Sequence, residues 1–190
     1  MKKLLCSLFL AILAISTSPL AHALDNPDPK GTLLGSAMIG PKFMFGIHSH
    51  ISICLDPSIM LDYVITDNLG PGHLVGGAGV GAFYFSNIKQ DFGDVQKKLG
   101  VYLTPRVYYG LNLGGNMEVH AGLSAGAGLI RNQVYYSTGG TKYDHPYSFK
   151  FSLGALLGFR YYVSEKLGVT AEIQTHSFAP ILGVGVSYYL

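Results

Sequence analysis

Several residues carry side chains and spacings that could do chemistry. His48, Ser49, His50 and Ser52 stand close together, and His176 is followed by Ser177. A histidine beside a serine is the start of an acyl-transfer site, in which imidazole takes the hydroxyl proton and a third group orients the ring. The sequence supplies the pairs without an evident third member. His48 and His50 also alternate as metal ligands do, but two histidines on a connection leave a zinc-type site half filled, so no metal or other cofactor is expected. A second set is larger. Asp62, Arg106, Arg160 and Glu172 all fall on the polar side of alternating segments, with His120, Tyr102, Tyr108 and Tyr162 in the same phase. Such a set is either a proton or ion path or a catalytic cluster, or else a salt-bridged plug.

The elements that must position these residues are read by counting in twos. In 149–163, Phe149, Phe151, Leu153, Leu157, Phe159, Tyr161 and Val163 take one face, while Lys150, Ser152, Gly154, Gly158, Arg160 and Tyr162 take the other. Segment 99–111 alternates Leu99, Val101, Leu103, Val107 and Leu111 with Gly100, Tyr102, Thr104, Arg106 and Gly110. The pattern returns in 117–129, 167–175 and 182–190, and earlier around Leu33–Ile47, Ile59–Ile65 and Leu74–Tyr84. That makes eight strands, none with Asp, Glu, Lys or Arg on the apolar face, where a basic residue at mid-bilayer costs about 2–4 kcal/mol. TDNLGPG, NLGGN and SEK are compact turns; the connections near 48–57, 86–98 and 133–147 are longer, and that near Ser177–Ala179 is short. Short turns at one end and longer loops at the other are the habit of transmembrane barrels. Pro41 and Pro105 interrupt otherwise regular strands, and a β-bulge is expected at each.

Composition points the same way. Charged residues are 13% of the chain, well below the ~25% of ordinary soluble domains, while glycine reaches 25 and tyrosine with phenylalanine 13 and 10. The longest uncharged stretch after the N-terminal region, Asn68–Ile88, carries Pro71 and a run of glycines and cannot be a spanning helix. Hydrocarbon admits only helices or closed barrels. The N-terminus reads as a cleaved signal peptide over 1–23, with a basic MKK, an apolar stretch and AHA ending at Ala23; 24–30 then form a periplasmic segment and 31–190 the barrel. Loss of Lys2 and Lys3 turns 13 basic against 11 acidic residues into 11 and 11, so no nucleic acid is expected as partner. Cys54 alone remains of the two cysteines, which excludes an internal disulfide.

The stretches LDYVITDNLGPGHLVGGAGVG, LGALLGFRYYVSEKLGVTAEI and GVGVSYYL resemble the small eight-stranded outer-membrane barrels of the OmpA/OmpX-like and "porin family" type. The marks of the resemblance fall on Asp62, Tyr63, Arg160, Tyr161, Tyr162 and Glu172, and the chain departs from it by ending on Leu190 where the family usually has Phe. The expectation is an all-β, eight-stranded antiparallel transmembrane up-and-down β-barrel in a bacterial outer membrane. It would be a monomer amid outer-membrane lipid and lipopolysaccharide, assembled by the outer-membrane assembly machinery through its C-terminal strand. Eight strands leave an interior just wide enough for side chains. The charged set then reads as a packed plug, since isolated buried charge is very costly. The function expected is structural or surface-interacting, through loops 86–98 and 133–147, and not enzymatic. The alternatives are a lipid A-modifying enzyme, whose deacylase members carry a His-x-Ser pair followed by Asn that HIS at 50–52 lacks, and a small-solute channel. A soluble lipocalin-like barrel would turn the apolar faces inward and leave a poorly charged exterior.

Overall fold

The computed structural model describes residues 30–45, 51–69, 72–88, 95–114, 116–135, 142–178 and 180–190. The leader expected over 1–23, residues 24–29 of the segment expected over 24–30, and His48, Ser49 and His50 lie outside the described residues; Ser52 lies in a strand, its side chain outside the described set. The elements are β1 Leu33–Phe45, β2 Ile51–Leu69, β3 Gly72–Ile88, β4 Val95–Gly114, β5 Met117–Tyr135, β6 Lys142–Tyr162, β7 Leu167–Gln174 and β8 Leu182–Tyr189. Each pairs antiparallel with the next, and β8 pairs back onto β1 to close the barrel.

The alternation becomes a radial sorting. Leu61, Val80, Leu103, Leu123, Leu153 and Val186 point outward and are exposed, whereas Asp62, Arg106, Glu118, Arg160 and Glu172 are buried inside. The soluble-barrel alternative requires the opposite arrangement. An apolar wall of this extent belongs in hydrocarbon, and Tyr63, Tyr161 and Tyr188 mark its lower rim beside the tight turns, where amphipathic rings favour the interface. The turns themselves are short: Gly114 and Asn116 take positive φ of 81° and 70° between β4 and β5, and Leu167 N donates to Ser164 Oγ at 3.2 Å between β6 and β7.

Two expectations are corrected. The stretches assigned to long loops are largely strand: β2 begins at Ile51, β3 and β4 run through Ile88 and from Val95, and β5 and β6 run through Tyr135 and from Lys142. Above the membrane both faces of a hairpin meet water, so the ladder continues while the apolar alternation that reveals it stops. The prolines also carry no bulge. Pro41 pairs with Leu55 in unbroken register, and the β1–β8 ladder ends at Ile39↔Val184, short of it. Around Pro105 the β4–β5 ladder reads Leu103↔Ala127 and Arg106↔Ser124, with Thr104 and Pro105 unpaired between them, while Pro105 still faces Ala78 in β3. The register is the same on both sides of the gap. An inserted residue would flip every side chain above it to the wrong face, whereas a missing bond costs one rung.

Candidate functional site

Among the described residues, the lumen holds two polar clusters. The lower one is centred on Arg106, whose Nε donates to Asp62 Oδ1 at 2.8 Å and whose Nη1 donates to Glu172 Oε1 and Oε2 at 3.0 and 2.8 Å; Nη2 pairs with Asp62 Oδ2. Arg160 Nη1 donates to both oxygens of Glu118 at 3.1 and 3.0 Å. Tyr162 OH donates to Glu118 at 2.8 Å and Tyr108 OH to Asp62 at 3.2 Å. His120 joins the halves, with Nδ1 at 3.0 Å from Glu118 and Nε2 at 3.3 Å from Glu172. A neutral imidazole can donate to one of these carboxylates and a protonated one to both. Gln174 Nε2 donates to Glu172 at 3.0 Å, and His73 Nε2 lies 3.8 Å from Glu118.

These side chains come from β2, β3, β4, β5, β6 and β7, and their meeting follows from closure. Inward residues two apart on one strand, such as Glu118 and His120, stand one above the other. Partners such as Asp62, Arg106 and Glu172 are brought within reach only because the sheet curls on itself. Room is made by small neighbours: a Cβ at Gly158 would sit 2.6 Å from His120 Cε1. Arg106, Arg160 and the three carboxylates are desolvated together, a geometry in which each charge needs every partner it has.

The upper cluster was not anticipated. Lys42 Nζ bonds Asp56 Oδ2 at 3.0 Å, and Tyr102 OH donates to Asp56 Oδ1 at 2.6 Å. The same ammonium donates to the backbone oxygen of Phe178 and lies 4.1 Å from the Phe83 ring centre. Phe178 belongs to the β7–β8 turn, which folds into the lumen rather than out of it. Its ring is buried 5.9 Å from that of Tyr102. Gly126 and Gly128 on β5 permit this: a Cβ at either would come within 2.6 or 2.7 Å of the Phe178 ring.

Of the residues singled out from sequence, Asp62, Arg106, Arg160, Glu172, His120, Tyr108 and Tyr162 form one network, and Tyr102 belongs to the other. Glu118, His73, Lys42 and Asp56 were missed as site residues. The signal for two of them was phase: Asp56 is in step with Asp62, and Glu118 with His120, but Asp56 fell in a stretch assigned to a loop. His176 and Ser177 are not brought together as base and nucleophile. His176 is buried, with Nε2 3.0 Å from Gln174 Oε1 and Nδ1 accepting from Phe178 N at 3.3 Å, while Ser177 is exposed and its N donates to Ser152 Oγ. Both nitrogens of that imidazole are occupied.

The fold and its packed interior define the class: a small eight-stranded transmembrane barrel. Among solved structures, the chain is similar to Ail, the attachment invasion locus protein of Yersinia pestis, in complex with the heparin analogue sucrose octasulfate. The TM-score is 0.54 and the identity 11%, over 85% of this chain and 99% of that one. A second Ail structure gives a TM-score of 0.54 at 9% identity over the same shares. Neisserial surface protein A gives 0.49 at 15%, over 84% of this chain and 97% of that one. The likeness to Ail is one of fold. No protein-family model matches the sequence, and no curated protein matches it.

Proposed function

We propose that this protein is a bacterial outer-membrane barrel that serves as a surface-interaction or structural element through its outer hairpins, and that it neither catalyses a reaction nor conducts solutes. The observation that carries this reading is the filled lumen: Arg106 and Arg160 with Asp62, Glu118 and Glu172 lock the lower half, and the turned-in Phe178 with Lys42 and Asp56 occupies the upper half. What is left for function is the part of the hairpins β3–β4 and β5–β6 that rises beyond the apolar wall, where Lys97 packs over Tyr135 and Arg131 over Tyr147. The complex of Ail with a heparin analogue supports a surface-binding role for a barrel of this shape. Export by the signal peptide over 1–23, insertion by the assembly machinery through β8, a monomeric state and contact with lipopolysaccharide belong to the same proposal.

The test is planar-bilayer conductance together with a lipid A deacylation assay on the purified full chain. The reading expects no large ohmic step and no released fatty acid, and either signal would overturn it. Replacing 89–94 and 136–141 by Gly-Ser linkers should leave the barrel folded and abolish surface binding.

A further inference from the structure

The apolar wall is uneven in height. On β6 the outward face stays apolar from Tyr161 up through Leu157, Leu153 and Phe151 to Phe149, a rise of about 30 Å at ~3.3 Å per residue and ~40° of tilt. Val169 of β7 is the rung partner of Tyr161, and from there the apolar face of β7 ends at Ile173, a rise of only about 10 Å. Leu182, the partner of Ile173, ends β8 at the same rung. The alternation itself continues into the turn: His176 and Phe178 are buried, Thr175 and Ser177 exposed. Thr175 N donates to Ala155 O at 3.0 Å and Ser177 N to Ser152 Oγ at 3.2 Å. The outward residues therefore change to hydroxyls at the height at which the neighbouring strand still carries Leu153.

The backbone at this notch makes the same demand as the side chains. The β6–β7 ladder ends at Leu156↔Gln174, and Thr175 then serves both the N and the O of Ala155. Among the described residues no ladder runs along this edge of β6 from Leu153 upward. An open strand edge is tolerated at membrane depth only where it meets water or protein. An apolar face shorter than the surrounding hydrocarbon is met by thinning of the bilayer. The exposed hydroxyls and the open edge both call for polar material at the depth of Ser177.

We propose that outer-leaflet lipid headgroups descend into this notch and lie against Thr175 and Ser177, so that the bilayer is thinned beside β7 and β8 and keeps its full depth along β6. This rests on the reading of the barrel as membrane-spanning. The depth lost is about 10 Å, the rise from Leu153 to Phe149.

The chain has no tryptophan, so Ser177→Trp and Leu153→Trp each give a single reporter, one strand apart and at one height in the barrel. Both side chains are exposed, so neither replacement displaces a packed group. Each full-length variant is reconstituted in phosphatidylcholine vesicles brominated either near the headgroup or near the chain ends. The proposal expects position 177 to be quenched best by the shallow bromines and by aqueous acrylamide, and position 153 best by the deep bromines, a difference in depth of about 10 Å. In a Cys54→Ser background, Ser177→Cys should react with a membrane-impermeant maleimide and Leu153→Cys should not. Equal depths at 153 and 177 would overturn the proposal, including the case of a barrel that tilts as a rigid body and carries both positions together. Position 177 shielded from bromine, acrylamide and maleimide alike would also overturn it, because another protein chain would then fill the notch. No quenching of position 153 by either lipid would overturn the membrane-spanning reading and this proposal with it.

Discussion

Replacing Arg106 by Met removes the one cation that both Asp62 and Glu172 address. Four contacts of 2.8–3.0 Å or shorter are lost, and two buried carboxylates are left behind. Charged hydrogen bonds taken singly at ~1.5–3 kcal/mol would overstate the cost, because the carboxylates keep other donors: Tyr108 OH to Asp62, and Gln174 Nε2 and the His120 ring beside Glu172. The loss that matches breaking a buried pair from one side is about 3–5 kcal/mol. Equilibrium unfolding in urea from lipid vesicles measures it. The companion triple variant Asp62→Asn, Arg106→Met, Glu172→Gln removes the charges together and should recover most of that loss, since apolar or neutral replacements of a buried network are nearly neutral. A cost below 1 kcal/mol for Arg106→Met alone would mean that water reaches these carboxylates. The packed interior would then be refuted.

Further outcomes follow from other parts of the barrel. Lys42→Met leaves Asp56 with Tyr102 alone and frees the backbone oxygen of Phe178; the β7–β8 turn should become cleavable by protease added from outside, while the lower cluster keeps its hydrogen-exchange protection. Gly128→Val, which drives a side chain into the Phe178 ring, should cost about 1–3 kcal/mol in the same unfolding assay and expose the same turn. Pro105→Ala restores an N–H where the β4–β5 ladder is broken in an otherwise unshifted register. It should therefore stabilise by about 0.5–1.5 kcal/mol; destabilisation would show that the rung is absent for another reason.

The sequence alone determined the sorting of side chains. Strict period-two alternation in eight segments tells which side of each strand is greasy, and the absence of charge on that side tells that the greasy side faces lipid. Both are local properties, carried by residues such as Phe151, Ser152 and Leu153 without reference to any other strand. The tight turns were legible for the same reason, because Gly114 and Asn116 take the backbone conformations that their own residue types favour.

What only the tertiary structure decided is which inward residue meets which. Arg106 reaches Asp62 and Glu172, 44 and 66 residues away in sequence, and that pairing depends on the stagger at which the sheet closes. No single strand encodes it. Tyr102, in phase with Tyr108, joins Asp56 and Lys42 instead of the arginine network, because six residues along a strand place it in the upper half of the lumen. The hydrated hairpins lost their alternation with the membrane around them, and so read as loops until the ladders were seen. The shortness of β7 and β8 and the inward fold of Phe178 follow from packing across the barrel, where the glycines of β5 leave a space that a turn from the opposite wall can fill.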